Sequence, residues 1–150
     1  MKKVLYGGAF DIFHWMHLEA IRQAKSFGDY LVDMVNSDRL IEEYKGRKPL
    51  FTQEERMYII RSLRFVDEVV LKHEFSDIPL LQAYDIDVLV HCEEWKNDKA
   101  AEIEFMERQG KQVVFTPYLR SEMMPDVKAK FEKIMQDKGR VFCEECHKLI

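Results

Sequence analysis

The chain has 150 residues, 47% of them hydrophobic and 33% charged, and carries a formal net charge of −4 at pH 7. That length and composition describe one compact domain with a real core and exclude a disordered or collagen-like chain. The mild acidity argues against a general nucleic-acid binder, and no apolar run approaches the ~20 residues of a membrane-spanning helix. Residues 1–6 reach Gly7-Gly8 after only three apolar positions, short of the about 7–15 that a secretory signal needs. A cytoplasmic protein with no nucleic-acid or membrane partner is expected.

In chain order, Val4-Leu5-Tyr6 reads as a strand ending in a glycine pair, and helical spacing follows over 16–27 until Gly28. Residues 30–35 form a second strand and 38–44 a short polar helix. Lys45-Gly46-Arg47-Lys48-Pro49 is a loop by its Gly and Pro. Thr52 opens the next helix, where Glu55 completes a capping-box pattern, and Met57, Ile60 and Leu63 carry its apolar face to Phe65. Val69-Val70-Leu71 is the third strand, 78–84 a helix, and Val88-Leu89-Val90 the fourth strand. A charged helix over 99–109 ends at Gly110 and is followed by Val113-Val114-Phe115, the fifth strand. The last helix is predicted over 125–138, with Pro125 at its first position, where the missing N–H costs nothing.

Five strands interleaved with helices predict an α/β fold: βαβ crossovers and a largely parallel sheet covered on both faces. Ligands in such sheets lie beyond the carboxyl ends of the strands, at the switch point in strand order. Chemistry is therefore expected in the loops after the first, fourth and fifth strands.

The first of these loops runs Gly8-Ala9-Phe10-Asp11-Ile12-Phe13-His14-Trp15-Met16-His17 and enters a helix. Its glycines permit a tight turn, and the first helical turn exposes N–H groups that attract anions. His14 and His17 are three apart and share a helix face, where each can donate a hydrogen bond to a phosphate oxygen. A cationic imidazole there would stabilise developing charge. On spacing alone, the alternative is two histidines that merely cap the helix or line a surface.

This loop resembles the Gly-(Thr/Ala)-Phe-Asp-x-x-His-x-Gly-His phosphate-binding motif of the cytidylyltransferase-like nucleotidyltransferases. The resemblance continues through residues 24–31, Ser37-Asp38, residues 45–49, Glu55-Arg56, residues 64–69 and Glu93-Glu94-Trp95, in unbroken order over about residues 3 to 118. The pattern is most similar to that of glycerol-3-phosphate cytidylyltransferases, with ethanolamine-phosphate cytidylyltransferases behind them. It implies a single-domain, Rossmann-like nucleotidyltransferase fold over 1–138, a tail over 139–150, and a homodimer.

The implied reaction joins CMP from CTP to a phosphorylated small alcohol such as glycerol 3-phosphate, releasing pyrophosphate, with Mg²⁺ on the triphosphate. The substrate phosphate attacks the α-phosphorus directly, so alignment and electrostatics do the catalysis. By resemblance, His14, His17 and Lys45 are catalytic, with Arg47 or Lys48 beside Lys45. Gly8, Ala9, Phe10, Asp11, His14, His17, Glu94 and Arg120 bind nucleotide, and Arg56, Arg64, Asp38 and Trp95 bind the acceptor. Arg56 and Arg64 stand eight apart, about two turns, so one helix would present both on nearly one face; the planar fork of each suits a phosphate.

Three departures from the pattern bear on activity. Met16 replaces the glycine between the histidines, placing a side chain where nucleotide approaches. Cys92-Glu93-Glu94-Trp95 replaces Gly-Asp-Asp-Trp. Residues 118–125 replace the Ser/Thr-rich triphosphate loop, losing its hydroxyls and adding Glu122 and Pro125. The acceptor half is thus better kept than the nucleotide half. Two classes of function follow: an active transferase with altered nucleotide contacts, or a phospho-ligand-binding or regulatory relative without turnover. Activity with ATP but not CTP would point to an adenylyltransferase.

Three cysteines make no disulfide framework. Cys143 and Cys146 with His147 offer three Zn²⁺ ligands, to be completed by Cys92 or His91 or across a dimer. The plainer alternative is a solvated tail with incidental thiols. His91, at a strand end, is read as a satisfied histidine.

Overall fold

The computed structural model describes residues 1–119, the helical residues Asp126, Ala129, Lys130, Glu132 and Lys133, and a short hairpin near the C-terminus. The chain forms two compact units, Met1–Tyr118 and Leu119–Ile150. In the first, β1 (Lys3–Gly8), α1 (Trp15–Lys25), β2 (Tyr30–Asn36), α2 (Asp38–Lys45), α3 (Gln53–Arg61) and β3 (Glu68–Lys72) are followed by α4 (Ile78–Ala83) and β4 (Val88–Cys92). A 3-10 helix (Glu93–Asp98), α5 (Ala100–Arg108) and β5 (Gln112–Thr116) complete it. In the second unit, β6 (Phe142–Cys143) pairs antiparallel with β7 (Lys148–Leu149). No helix among the described residues is long and apolar enough to cross a membrane.

The five strands of the first unit form one all-parallel sheet in the order β3-β2-β1-β4-β5. Strands buried on both faces read as continuous apolar runs, and the period of two sorts their side chains. Val4, Leu31, Val35, Val88 and Val90 pack with Ile21 and Ala24 of α1 and Ile60 of α3. Leu5, Val32, Met34, Val70 and Leu89 pack on the other face with Leu81 of α4 and Met106 of α5.

Thr52 caps α3 as expected: its hydroxyl accepts from the Glu55 N–H, and the Glu55 carboxylate accepts from the Thr52 N–H. The far end differs from the expectation. α3 stops at Arg61 with Ser62 as C-cap, so Arg64 lies in the following turn and does not share a helix face with Arg56. Leu63 and Phe65 still reach the core beside Ile60 from that turn, which is why the apolar spacing runs past the helix end. The segment after β4, expected as a loop, is a 3-10 helix.

Asp33 breaks the apolar run of β2. It is fully buried, pairs in register with Tyr6 and Val69, and neither carboxylate oxygen has a hydrogen-bond partner. Burial drives its pKa well above the ordinary carboxylate value. The folded state therefore binds this proton more tightly than the unfolded chain, so stability is lost as pH rises above the unfolded pKa of about 3.9. Asp33→Val is expected to stabilise the protein by roughly 2 kcal/mol at pH 8 and by clearly less at pH 4, read from denaturant midpoints at the two pH values.

Candidate functional site

The sheet order reverses between β1 and β4, which puts the ligand crevice beyond their carboxyl ends. The backbone there is tightly constrained. A Cβ on Gly7 would stand 2.0 Å from the Met34 carbonyl oxygen, so only glycine fits. Phe10 adopts φ 50, a left-handed backbone uncommon for a bulky side chain. Its buried ring holds that turn, packing against Tyr6, Phe13 and, edge-on at 5.5 Å, His17.

His14 and His17 are brought together. Their rings stack at 3.9 Å between centroids, and the His14 backbone N–H donates to His17 Nδ1 at 3.3 Å. The neutral His17 ring therefore carries its proton on Nε2, a donor suited to a phosphate oxygen. Burial lowers the His14 pKa, and burial, His14 and the Lys45 charge push His17 down to about 4. Instead of the cationic imidazole expected, the pair is neutral near pH 7. Met16 is one of the buried residues of α1, so its thioether packs within the protein.

Asp11 is a tie rather than an open ligand. Its Oδ1 accepts the Leu50 and Phe51 N–H groups at 2.8 and 3.1 Å, and Arg47 lies 3.6 Å from Oδ2. The basic loop is thereby fastened beside the turn after β1. Lys45 ends α2 ahead of Gly46, whose φ of 69 reverses the chain, and its ammonium lies 5.7 Å from the Tyr44 ring.

Arg56 is fully buried. Its Nε donates to Phe51 O at 3.0 Å, NH1 to Ala9 O and Asn36 O at 2.6 and 2.7 Å, and NH2 to Asp38 Oδ1 at 2.6 Å. Four of its five N–H donors are thus taken by protein acceptors. The guanidinium expected at the acceptor phosphate joins the ends of β1 and β2 to the starts of α2 and α3. Arg64 is exposed and stacks over Phe65.

On the other side of the crevice, Glu94 and Trp95 are exposed on the 3-10 helix, and Trp95 meets the exposed Phe75 at 6.0 Å. Glu93 accepts the Tyr118 N–H at 3.3 Å. Arg120, Cys146 and His147 lie outside the described residues, and of Cys143 only its place in β6 is described. His91 gives Nε2 to Asp77 at 2.7 Å, within a buried cluster of Lys72, Asp77, Lys99 and Glu102 that sequence reasoning missed. The available signal was a lysine at the end of β3 with an acidic residue five further on, a pair that sequence alone does not distinguish from solvated charges.

Among the described residues no three His, Cys, Asp or Glu side chains converge on a metal. A Mg²⁺ ion carried by phosphates needs only one or two carboxylates beside water and phosphate oxygens. The exposed Glu94 is a hard oxygen donor that fits such an ion.

A phosphate bound beside the histidine pair would oppose the causes that depress His17, so its binding is expected to raise that pKa and take up a proton. Calorimetry of inorganic triphosphate binding at pH 6.5 in buffers of different ionisation enthalpy is expected to show net uptake. Affinity is expected to weaken as pH rises from about 4 through the bound-state pKa. His17→Gln removes the uptake.

Residues 5–140 match the family model described as cytidylyltransferase-like. An FAD synthase of Thermococcus sibiricus is 33% identical over 145 residues, covering 95% of both chains. The ethanolamine-phosphate cytidylyltransferase of Dictyostelium discoideum is 41% identical over 92 residues, covering 59% of this chain and 26% of its own length. A solved lipopolysaccharide core biosynthesis protein of Thermoplasma volcanium superposes with a TM-score of 0.68 at 26% identity, over 81% of this chain and 99% of that one. With its all-parallel sheet, the paired histidines beyond β1 and a family match along most of its length, the chain belongs to the cytidylyltransferase-like nucleotidyltransferases.

Proposed function

We propose that the chain transfers AMP from ATP to FMN, giving FAD and pyrophosphate. The observation that carries this reading is the similarity to FAD synthases over 95% of both chains, whereas the cytidylyltransferase match spans a quarter of that relative's length. A phosphate oxygen of FMN attacks the α-phosphorus of ATP in line, the bond to the β-phosphate oxygen breaks, and pyrophosphate leaves with its charge. No protein nucleophile takes part.

His14 and His17 donate to the oxygens on which charge accumulates, and Lys45, close enough to depress His17, adds positive charge there. Gly8, Ala9 and Phe10 shape the turn that admits the triphosphate, with Glu94 on the opposite wall. Mg²⁺ bound to the phosphates would offset their charge. The exposed aromatic faces of Phe75 and Trp95 suit a flat ring such as the flavin better than a small alcohol.

A second reading, CMP transfer from CTP to a phospho-alcohol, is favoured by the higher identity to the Dictyostelium enzyme over its shared 92 residues. A pyrophosphate-release screen crossing ATP and CTP with FMN, glycerol 3-phosphate and phosphoethanolamine separates the readings. Turnover is expected with ATP and FMN, with FAD identified chromatographically. Turnover only with CTP and a phospho-alcohol overturns the proposal. Binding of FMN without turnover in any pairing would make the chain a ligand-binding relative.

A further inference from the structure

Asp77 lies in the turn between β3 and α4 and is fully buried. Lys72, the last residue of β3, donates to its Oδ1. Its Oδ2 receives two partners, His91 Nε2 at 2.7 Å and Lys99 Nζ at 2.8 Å. His91 sits near the end of β4, and Lys99 immediately precedes α5. These two residues bracket the seven-residue segment 92–98, which carries Glu94 and Trp95, and one carboxylate oxygen ties both of its ends.

Beyond these ties, Cys92 pairs with Thr116 at the end of the β4–β5 ladder and Lys96 lies 5.9 Å from the Phe115 ring. Every residue of the 3-10 helix is exposed, so no buried side chain of its own holds it in place. Its lateral contacts include Glu93 on the Tyr118 N–H and Trp95 against Phe75. Phe75 is itself held by Lys99, whose Nζ donates to the Phe75 carbonyl at 3.1 Å and lies 4.8 Å from its ring. Glu102 closes the cluster: it accepts the Asp77 N–H at 3.0 Å and stands 3.6 Å from Lys99 Nζ.

A buried ionic cluster contributes little stability beyond what apolar side chains of the same volume would give. What it supplies is direction, because a carboxylate accepts only from donors aligned with its oxygens. A core needing only filler would place leucine or methionine at these positions.

We propose that Asp77, His91 and Lys99 are positioning residues that staple the base of segment 92–98 and so hold Trp95 and Glu94 towards the substrates. The inference rests on the substrate-facing role given to that segment above. None of the three touches substrate; they act through the segment they anchor.

The test uses His91→Leu, which removes one anchor, His91→Gln, whose amide N–H still reaches Asp77, and Lys99→Met, which removes the other anchor. Should His91→Leu fail to fold, His91→Asn, too short to reach, gives the same contrast. The chain has two tryptophans, so a Trp15→Phe background isolates Trp95 for acrylamide quenching without ligand. Kinetics are measured with Trp15 in place.

His91→Leu and Lys99→Met are expected to raise Trp95 quenching and to raise the KM for FMN about ten-fold, with kcat much less affected. His91→Gln is expected to restore both. Lower melting temperatures with parental quenching and parental KM would overturn the proposal, leaving the cluster as core structure only. The quenching arm needs no turnover: if no substrate pair reacts, loosened Trp95 still supports the staple, and unchanged Trp95 still rejects it.

Discussion

Arg56 is the constraint around which the crevice is built. Its guanidinium collects the carbonyls of Ala9 and Asn36 from the ends of β1 and β2, the Phe51 carbonyl ahead of α3, and the Asp38 carboxylate. Carbonyls at strand ends leave the sheet ladder unpaired, and burying them unpaired costs free energy. One rigid planar donor satisfies the two strand-end carbonyls, the Phe51 carbonyl and the Asp38 carboxylate at once, one bond more than the three donors of a lysine could make. Asp11 works in parallel, tying the 45–51 loop to the same turn through two backbone N–H groups. The turn that presents His14 is therefore held from both sides.

The histidine pair gains its properties from that rigidity. Stacked rings 3.9 Å apart cannot both be charged cheaply, and burial with a nearby lysine favours the neutral form. The pair is thus a neutral donor surface, and phosphate charge placed beside it would favour its protonation. This is electrostatic preorganisation of the kind that phosphoryl transfer needs, since no covalent chemistry falls to the protein. Opposite it, the acidic and aromatic segment after β4 is anchored on a buried carboxylate, so the two walls of the crevice are fixed by separate buried charges, Arg56 and Asp77.

Much of this architecture was legible from the residues alone. Apolar runs marked all five strands, and Thr52 with Glu55 marked the start of α3. The end of α3 was not legible, because Ser62 carries no glycine or proline signal while Leu63 and Phe65 continue the apolar spacing from a turn. That error put Arg56 and Arg64 on one helix face. Buried charge is the other blind spot: Arg56 read as a ligand position, and Asp33, Lys72, Asp77 and Lys99 were not singled out, since a one-dimensional pattern cannot tell a solvated charge from one with buried partners. His14 and His17 were legible as a pair, but their neutrality depends on burial and on Lys45 arriving from another element. The nucleotide was not legible either, because the base and acceptor meet side chains and loop shapes outside the shared motifs.

Arg56 is a buried strut and not an open phosphate fork. Its most direct test is the urea midpoint of Arg56→Lys measured without any ligand, set beside phosphate-ligand binding by the same protein. Loss of about 3 kcal/mol of unliganded stability is predicted, as expected when buried acceptors lose the donors of a buried charge. An unliganded stability equal to that of the parent, with acceptor binding alone abolished, would contradict the account.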